Sequence, residues 1–270
     1  MRLISLALFA GILIAAGFIE PASAQTPAPS NPPSSAASPA PAAPAPAAPA
    51  PPPAPAAAAP AAAATPAGPV YVVTYFEVTP AGARKAAALL RQFADSTRKA
   101  DGNSELTVLH EIGRPGRFAL VEAWKDKAAL DAHSGAMKAL GDKLQPIFVG
   151  PFDARPFAPL AVGTPSAAMP AGAIYVLTHV DVFPQGKDEV APAVKQLAED
   201  SRKDAGSLRF DAVVWDGHPN HFHLIEVWTD RKALEAHQAA DHTKAFRAKL
   251  VPFEGAFYDE RLYEVVKKTE

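Results

Sequence analysis

The sequence has no cysteine among its 270 residues, which excludes disulfide bonds, thiol nucleophiles and thiolate metal sites. It has no excess of positive charge either: 26 Lys and Arg residues stand against 28 Asp and Glu residues, and no long basic run occurs. The charge distribution therefore does not predict binding to a nucleic acid or to an acidic membrane surface. Glycine-rich phosphate loops, a nucleophile elbow and the HExxH zinc motif are absent as well, so none of these signatures assigns a function.

The first 24 residues predict a signal peptide. Arg2 supplies the positive start, residues 3–19 are almost wholly apolar, and residues 22–24 (Ala-Ser-Ala) suit a signal peptidase, with cleavage expected before Gln25. An uncleaved anchor is the alternative, because the apolar run is near the lower length for spanning a bilayer. A lipoprotein anchor is excluded, since no cysteine follows. We expect a periplasmic or secreted protein that has no membrane contact after cleavage.

Residues 25–69 consist almost wholly of Pro, Ala and Ser and hold more than half of the 29 prolines. Proline fixes φ and lacks an N–H, so neither helix nor sheet propagates through such a segment. Alanine offers too little apolar surface to offset the entropy of ordering. A disordered, partly extended linker is predicted, and whether it is a tether or an inert tail stays open.

One stretch of the chain occurs twice. Residues 122–133 (EAWKDKAALDAH) and 226–237 (EVWTDRKALEAH) match at an offset of 104 residues. Both halves are therefore predicted to contain a strand that ends in Trp, a turn whose Asp caps a helix, and a helix that carries a His.

Each half is predicted to have the order β-α-β-β-α-β. The first half has strand patterns at 71–78, 106–111, 117–124 and within 146–157, and helix patterns along Ala86, Leu90, Phe93 and Thr97 and from 127 to 140 or beyond. The second half has strand patterns at 174–182, 208–215, 221–228 and within 251–263, and helix patterns along Val190, Val194, Leu197 and Ser201 and at 231–250. The offset becomes 106 at Leu144 and Leu250, which places two extra residues near 239–243.

This order is the ferredoxin-like arrangement, with an antiparallel sheet and helices on one face. The first strand of each half is apolar on both faces, so the second face of each sheet also needs cover. The predicted fold is therefore α+β, with two tandem units packed sheet to sheet as an intrachain dimeric α/β barrel. The predicted domains are 70–157 and 174–266, joined by a linker at 158–173. We expect a monomer that contains a pseudo-dimer.

The repeated motif resembles the antibiotic biosynthesis monooxygenase (ABM) domain family. The second half carries the resemblance in residues 201–206 (SRKDAG), 222–228 (FHLIEVW), Leu234, His237, His242 and Phe246. The first half keeps Phe118, Leu120, Glu122, Trp124, Leu130 and His133 but lacks the second helical His. The resemblance covers about 71–157 and 174–265.

The resemblance implies an oxygenase that uses neither metal nor flavin and oxidises anthrone- or quinol-like aromatics. Such chemistry needs an apolar pocket, a base that takes a phenolic proton, and a hydrogen bond to the substrate oxygen. We expect no cofactor and no metal, with a small aromatic substrate and O2 as the partners. The alternative is a non-catalytic small-molecule-binding or stress-associated module on the same fold.

The second half is expected to hold the site, with the first half largely a scaffold. The predicted catalytic residues are His179, His237 and His242, and the predicted substrate-binding residues are Trp228, Tyr75, His133 and Trp124. His237 and His242 converge only if the helix breaks near residues 240–241, and His179 and His237 are predicted to lie near one pocket. The alternative is that these histidines are hydrogen-bonded residues of the fold and that both tryptophans belong to the core.

Three other groups have less specific patterns. His221 and His223 lie on one face of the third strand, with His218 in the turn before it, and two His at that spacing could share a metal, but an exposed strand face is the preferred interpretation. Glu122 and Glu226 are interpreted as partners for backbone or basic groups. A heme-degrading branch of the same superfamily uses an Asn, a Trp and a His, where this sequence has His179, His237 and Arg247. That difference disfavours heme oxygenation and leaves heme binding through a His open.

Overall fold

The computed structural model describes residues 68–164 and 169–266. The predicted signal peptide and nearly all of the predicted linker at 25–69 lie outside these ranges. Within them, no helix has the length and apolar character needed to cross a membrane.

Both halves of the described chain have the predicted order of elements. The first unit comprises β1 (Val70–Glu77), α1 (Ala83–Thr97), β2 (Asn103–Glu111), β3 (Arg117–Trp124), α2 (Lys127–Leu144) and β4 (Asp153–Ala161). The second unit comprises β5 (Ile174–Asp181), α3 (Lys187–Ser201), β6 (Ser207–Trp215), β7 (His221–Trp228), α4 (Arg231–Ala239), α5 (Asp241–Leu250) and β8 (Asp259–Val265). The two predicted ferredoxin-like units are confirmed.

The eight strands of the described residues form one closed antiparallel barrel in the order β1-β3-β2-β8-β5-β7-β6-β4. The last strand of each unit bridges the two units. β4 pairs with β1 and with β6 of the second unit, and β8 pairs with β5 and with β2 of the first unit. The predicted intrachain barrel is confirmed, and closure at both seams leaves no open sheet edge.

The predicted linker at 158–173 begins inside β4. Ala158 lies opposite Val214 and Ala161 lies opposite Ala212 in the ladder with β6. These residues carry the hydrogen bonds that close one seam of the barrel, which is why the strand continues past the boundary expected at Phe157.

The strands alternate between two apolar environments. Val73 and Tyr75 of β1 face the barrel interior, where both units contribute side chains. Phe76, on the opposite face, packs under the helices of the first unit with Leu90 and Leu120. The strands are apolar on both faces because helices cover the outer face and the other face lines the interior that both units share.

Local chemistry fixes where the second helical segment of each unit begins. Asp126 accepts a hydrogen bond from the Ala129 amide at 2.8 Å, and Asp230 accepts one from the Ala233 amide at 2.9 Å. Both are the predicted N-caps, which satisfy backbone donors that the first turn leaves unpaired.

The two units differ in that segment. The first unit has one continuous helix, α2, of 18 residues. In the second unit Ala240 adopts an extended conformation (φ −67°, ψ 148°) that separates α4 from α5. This break lies at residues 240–241, where convergence of His237 and His242 requires one.

Candidate active site

A cavity of about 610 Å³ lies in the first unit, between α2 and the outer face of β1, β3 and β4. Most of its wall is apolar and includes Val70, Val72, Leu130, Met137, Phe152 and Pro156. Its rim is polar and includes Lys127, Asp131, Ser134, Lys138 and Asp142 of α2, with Asp216 from the β6–β7 hairpin of the second unit. An apolar chamber of this size with a few polar groups is typical of a small-molecule site.

Glu122 is a buried carboxyl group in the wall of this cavity. It lies on the helix-facing side of β3, and only 1% of its surface is exposed. Its Oε2 accepts a hydrogen bond from Trp124 Nε1 at 3.1 Å. Burial raises the pKa of Glu122 to about 7, although the indole hydrogen bond opposes the shift. The carboxyl can therefore take up or release a proton near neutral pH.

The interpretation of Glu122 as a partner for backbone or basic groups is wrong. The partner that the structure gives it is an indole N–H, a neutral donor that leaves most of the desolvation uncompensated. The same correction applies to Glu226, which accepts from Trp228 Nε1 at 3.0 Å.

Thr74 and His133 add two further polar groups to the cavity wall. The Thr74 hydroxyl is fully buried and has no hydrogen-bond partner among the described residues. His133 Nε2 lies 3.1 Å from Thr97 Oγ1, and its ring lies against Trp124 at 4.8 Å between centroids. Burial lowers the pKa of His133, so the imidazole is neutral at neutral pH.

The corresponding space in the second unit is filled by larger side chains. At the offset of 106, Gly141, Phe152 and Ala154 of the first unit correspond to Arg247, Tyr258 and Glu260. The Arg247 guanidinium lies 3.6 Å from the centre of the Tyr258 ring and donates to Glu260 at 2.7 Å. Gln238 of α4 also donates to Glu260.

Side chains therefore fill the space in the second half where the pocket was expected. Tyr258 packs against the core of that unit, and the ion pair of Arg247 with Glu260 holds it in place. The open cavity belongs to the half that was expected to be a scaffold, because the side chains opposite Glu122 are smaller.

His237 and His242 converge as the predicted helix break requires. His237 Nδ1 lies 2.8 Å and His242 Nε2 lies 3.2 Å from the same oxygen of Asp204. The His237 ring stacks on Trp228 at 4.6 Å, and Trp228 is fully buried in the core. Trp124 is fully buried as well.

His179 lies on the other side of the sheet from His237. It faces the barrel interior with Tyr75, at 5.3 Å between ring centroids, so the pocket expected to join His179 and His237 does not form. Tyr75 Oη lies 3.2 Å from His223 Nε2. Burial, with the nearby Arg155 and Arg261, lowers the pKa of His179 to about 4, so this imidazole stays neutral.

We expected His221 and His223 to lie on an exposed strand face, and this expectation is wrong for His223. His223 is completely buried in the barrel interior, with its ring 4.6 Å from that of His179. His221 lies nearer the surface, 2.8 Å from Asp181.

Glu122 and Thr74 are the site residues that sequence reasoning missed. A usable signal lay in the repeat itself. The two copies match along most of their length, but Arg247 and Glu260 of the second copy stand at the positions that Gly141 and Ala154 occupy in the first. Small residues at positions that are charged and bulky in the other copy indicate open space beside them.

Comparison with known proteins agrees with this architecture. The family model described as "Antibiotic biosynthesis monooxygenase" matches residues 69–139 and 173–249. YcnE of Bacillus subtilis (strain 168), named as a proposed monooxygenase, is 28% identical over 76 residues, which cover 28% of this chain and 80% of YcnE.

Two solved structures share the fold across both units. One, from Fusobacterium nucleatum subsp. nucleatum ATCC 25586, aligns with a TM-score of 0.68 at 19% identity, covering 75% of this chain and 94% of the other. Another, from Lactobacillus acidophilus NCFM, aligns with a TM-score of 0.63 at 14% identity, covering 74% and 95%. Both are titled as proposed monooxygenases. With the family model matched in each half, the chain belongs to the antibiotic biosynthesis monooxygenase family and carries two tandem copies of its domain.

Proposed function

We propose that the protein is an exported monooxygenase that oxidises a small quinol or polyphenol with O2 in the cavity of the first unit. The observation that carries the proposal is Glu122, a carboxyl with a pKa of about 7 in the wall of a largely apolar cavity of about 610 Å³. A base is most effective when its pKa lies near the working pH.

The ionised Glu122 takes the proton of a substrate hydroxyl. The resulting phenolate is electron-rich and transfers electrons directly to O2, so the residues of the pocket need not carry electrons. For a quinol, the overall change consumes one O2 and gives a hydroxyquinone and one water. One oxygen atom enters the ring, the other leaves as water, and the substrate supplies all four electrons.

The other residues of the cavity hold the substrate in place. The Thr74 hydroxyl lies in the cavity wall and has no hydrogen-bond partner among the described residues, and it donates a hydrogen bond to the substrate oxygen. Val72, Leu130 and Met137 contact the ring. A dry, apolar wall also strengthens the electrostatic effect of Glu122 on the charged intermediate.

The test is O2 uptake by the purified mature protein with a panel of quinols and anthrones. Replacement of the base in Glu122→Gln should lower kcat/KM by ~100-fold or more. In the unaltered protein kcat/KM should rise with pH through about 7 and then level off, because the base must be ionised. Glu226→Gln is the matched control, since Glu226 has the same indole partner without the cavity.

Equal loss of uptake in both variants would point to a folding effect. Full activity of Glu122→Gln would overturn the proposed role of Glu122, and no uptake with any substrate would overturn the enzymatic function.

A non-catalytic binding module is the second candidate. The filled space beside Arg247 and Tyr258 favours it in one respect, because the space equivalent to the cavity of the first unit is closed in the second. Saturable binding of quinols with no O2 uptake would support this alternative.

Export is part of the proposal and rests on the signal peptide predicted at residues 1–24. Expression of the full-length chain in a bacterium with two membranes should give a periplasmic protein whose N-terminus is Gln25. An intact N-terminus in the membrane fraction would instead identify an anchor.

A further inference from the structure

Asp204, His237 and His242 form a cluster of metal-ligating groups in the second unit. One atom of each, the Asp204 carboxylate oxygen and one ring nitrogen from each His, lies within 4.8 Å of the other two. Asp204 follows the end of α3, His237 lies in the last turn of α4, and His242 lies in the first turn of α5. Three separate elements thus bring their side chains to one point.

The distances suit a metal ion that replaces the shared protons. Asp204 Oδ2 lies 2.8 Å from His237 Nδ1 and 3.2 Å from His242 Nε2. Ligands held about 2.0–2.2 Å from a Zn²⁺ ion are separated from each other by about 3 to 3.4 Å in tetrahedral or octahedral geometry. The Asp204 carboxylate is therefore already at coordination spacing from each imidazole, whereas the two imidazole nitrogens, within 4.8 Å of each other, must come closer together to share one ion.

The two histidines are prepared for coordination in different ways. His237 is 5% exposed and is fixed by stacking on Trp228, so its ring is already held in place for a ligand bond. His242 Nε2 is buried without a hydrogen bond of good geometry, yet 24% of its side chain is exposed. Asp204 is 22% exposed, which leaves a path for an ion from solvent.

The cluster is a feature of the second unit and not of the repeated fold. Ala100 stands where Asp204 would be in the first unit, and α2 runs through the point where the second unit breaks. The two inserted residues and the extended Ala240 re-aim His242 toward Asp204 and His237. The break would otherwise weaken the helix layer, so a metal ion that joins the loop after α3 to α4 and α5 has a structural purpose.

We propose that Asp204, His237 and His242 bind a divalent transition-metal ion. Two imidazoles with one carboxylate favour Zn²⁺, Co²⁺, Ni²⁺ or Cu²⁺ over Mg²⁺ and Ca²⁺, which take oxygen ligands. Water completes the coordination on the exposed side. The metal clamps the broken helix and takes no part in the chemistry of the cavity in the first unit. The sequence alone does not indicate it, because Asp204 and His237 are 33 residues apart.

The test is titration of tag-free, chelator-treated mature protein with ZnCl2 by calorimetry, and with CoCl2 by visible absorption. We expect one equivalent per chain, a raised Tm, and affinity that falls as the pH is lowered, because protons compete for the imidazoles. His242→Ala and Asp204→Asn should each weaken Zn²⁺ binding by at least ~10- to 100-fold, since loss of a ligand costs no less than loss of a group that orients one. Both side chains are partly exposed, so both variants should fold.

His218→Ala is the matched control, because His218 lies on the exposed β6–β7 hairpin with its ring 5.6 Å from His221 and belongs to the rival histidine group. The affinity of His218→Ala for Zn²⁺ should equal that of the unaltered protein. The proposal is overturned if no metal binds, if binding survives both His242→Ala and Asp204→Asn, or if only His218→Ala abolishes it.

Discussion

Glu122 and Glu226 occupy equivalent positions and share an indole partner, yet they have different surroundings. Burial raises the pKa of Glu122 to about 7 and that of Glu226 to about 8. Glu122 faces a cavity, whereas Glu226 faces a filled space in which it also accepts a bond from Thr178 at 3.5 Å. A carboxyl becomes a candidate base only where a substrate can reach it.

These two carboxyl groups make stability depend on pH. Because each pKa is raised in the folded state, the folded protein binds more protons than the unfolded chain between pH about 4.5 and the raised value. Stability should therefore fall as the pH rises through this window, and Glu122→Gln should relieve the loss. At pH 9 the unfolding free energy of Glu122→Gln should exceed that of the unaltered protein by about 3 kcal/mol, because each unit by which the pKa is raised corresponds to about 1.36 kcal/mol.

Urea unfolding of the variant and the unaltered protein at pH 5 and pH 9 measures this effect. The difference in unfolding free energy should be small at pH 5 and largest at pH 9. A difference that is the same at both values would mean that the Glu122 carboxyl does not titrate as burial predicts.

At the scale of elements, the cavity depends on what α2 and β4 place opposite Glu122. Gly141 of α2 and Ala154 of β4 both line the cavity, and both are replaced by charged residues in the second unit. β4 and β8 pair in the same way with β1 and β5, and Arg247 lies in α5 at the position of Gly141 in α2, so at these positions the two units differ in side-chain volume.

Filling the cavity should therefore weaken substrate binding without unfolding the protein. Ala154→Phe adds a ring at an exposed position of β4 that lines the cavity, and we expect substrate affinity to fall at least ~10-fold, the effect of losing about 1.4 kcal/mol. Binding titrations with the preferred quinol measure the change.

Gly135→Ala is the control for Ala154→Phe. Gly135 lies on α2, and a Cβ added there meets nothing within 4 Å. This change should stabilise α2 by about 1 kcal/mol and leave affinity unchanged. Unaltered binding by Ala154→Phe would show that the substrate lies elsewhere.

At the scale of the whole molecule, one end of the barrel joins the units through a buried ion pair. Arg209 donates to Asp211 and to Glu105, each at 2.6 Å. Glu105 and Arg209 are equivalent positions, 104 residues apart, so the pseudo-symmetry brings opposite charges together. Two first units or two second units would instead bring like charges together. The ion pair thus favours association of unlike units.

Reversal of one charge should be costly, and reversal of both should restore stability. Arg209→Glu leaves three carboxylates together, which should lower the unfolding free energy by about 3 to 5 kcal/mol, as for other broken buried pairs. Adding Glu105→Arg should recover part of the loss, because the new guanidinium can reach both acids. Urea unfolding of the single and double variants tests this, and a double variant no more stable than Arg209→Glu would refute the pairing.

The sequence by itself determined the repeated unit, its order of elements, the caps at Asp126 and Asp230, and the two extra residues near the place where the helix of the second unit breaks. These features rest on periodicity and on contacts within a few residues, which a linear pattern records. The barrel also followed, because strands that are apolar on both faces need cover on both.

Only the tertiary structure decided which unit has the cavity and which side chains act there. The pKa of Glu122 depends on burial by β1, β4 and α2, and the space in the second unit is closed by Arg247 packing on Tyr258. His179 and His237 were separated by the sheet itself, since alternate faces of one strand lead to the interior and to the helices. Such outcomes depend on side-chain volume and distance between remote elements, and no local pattern contains them.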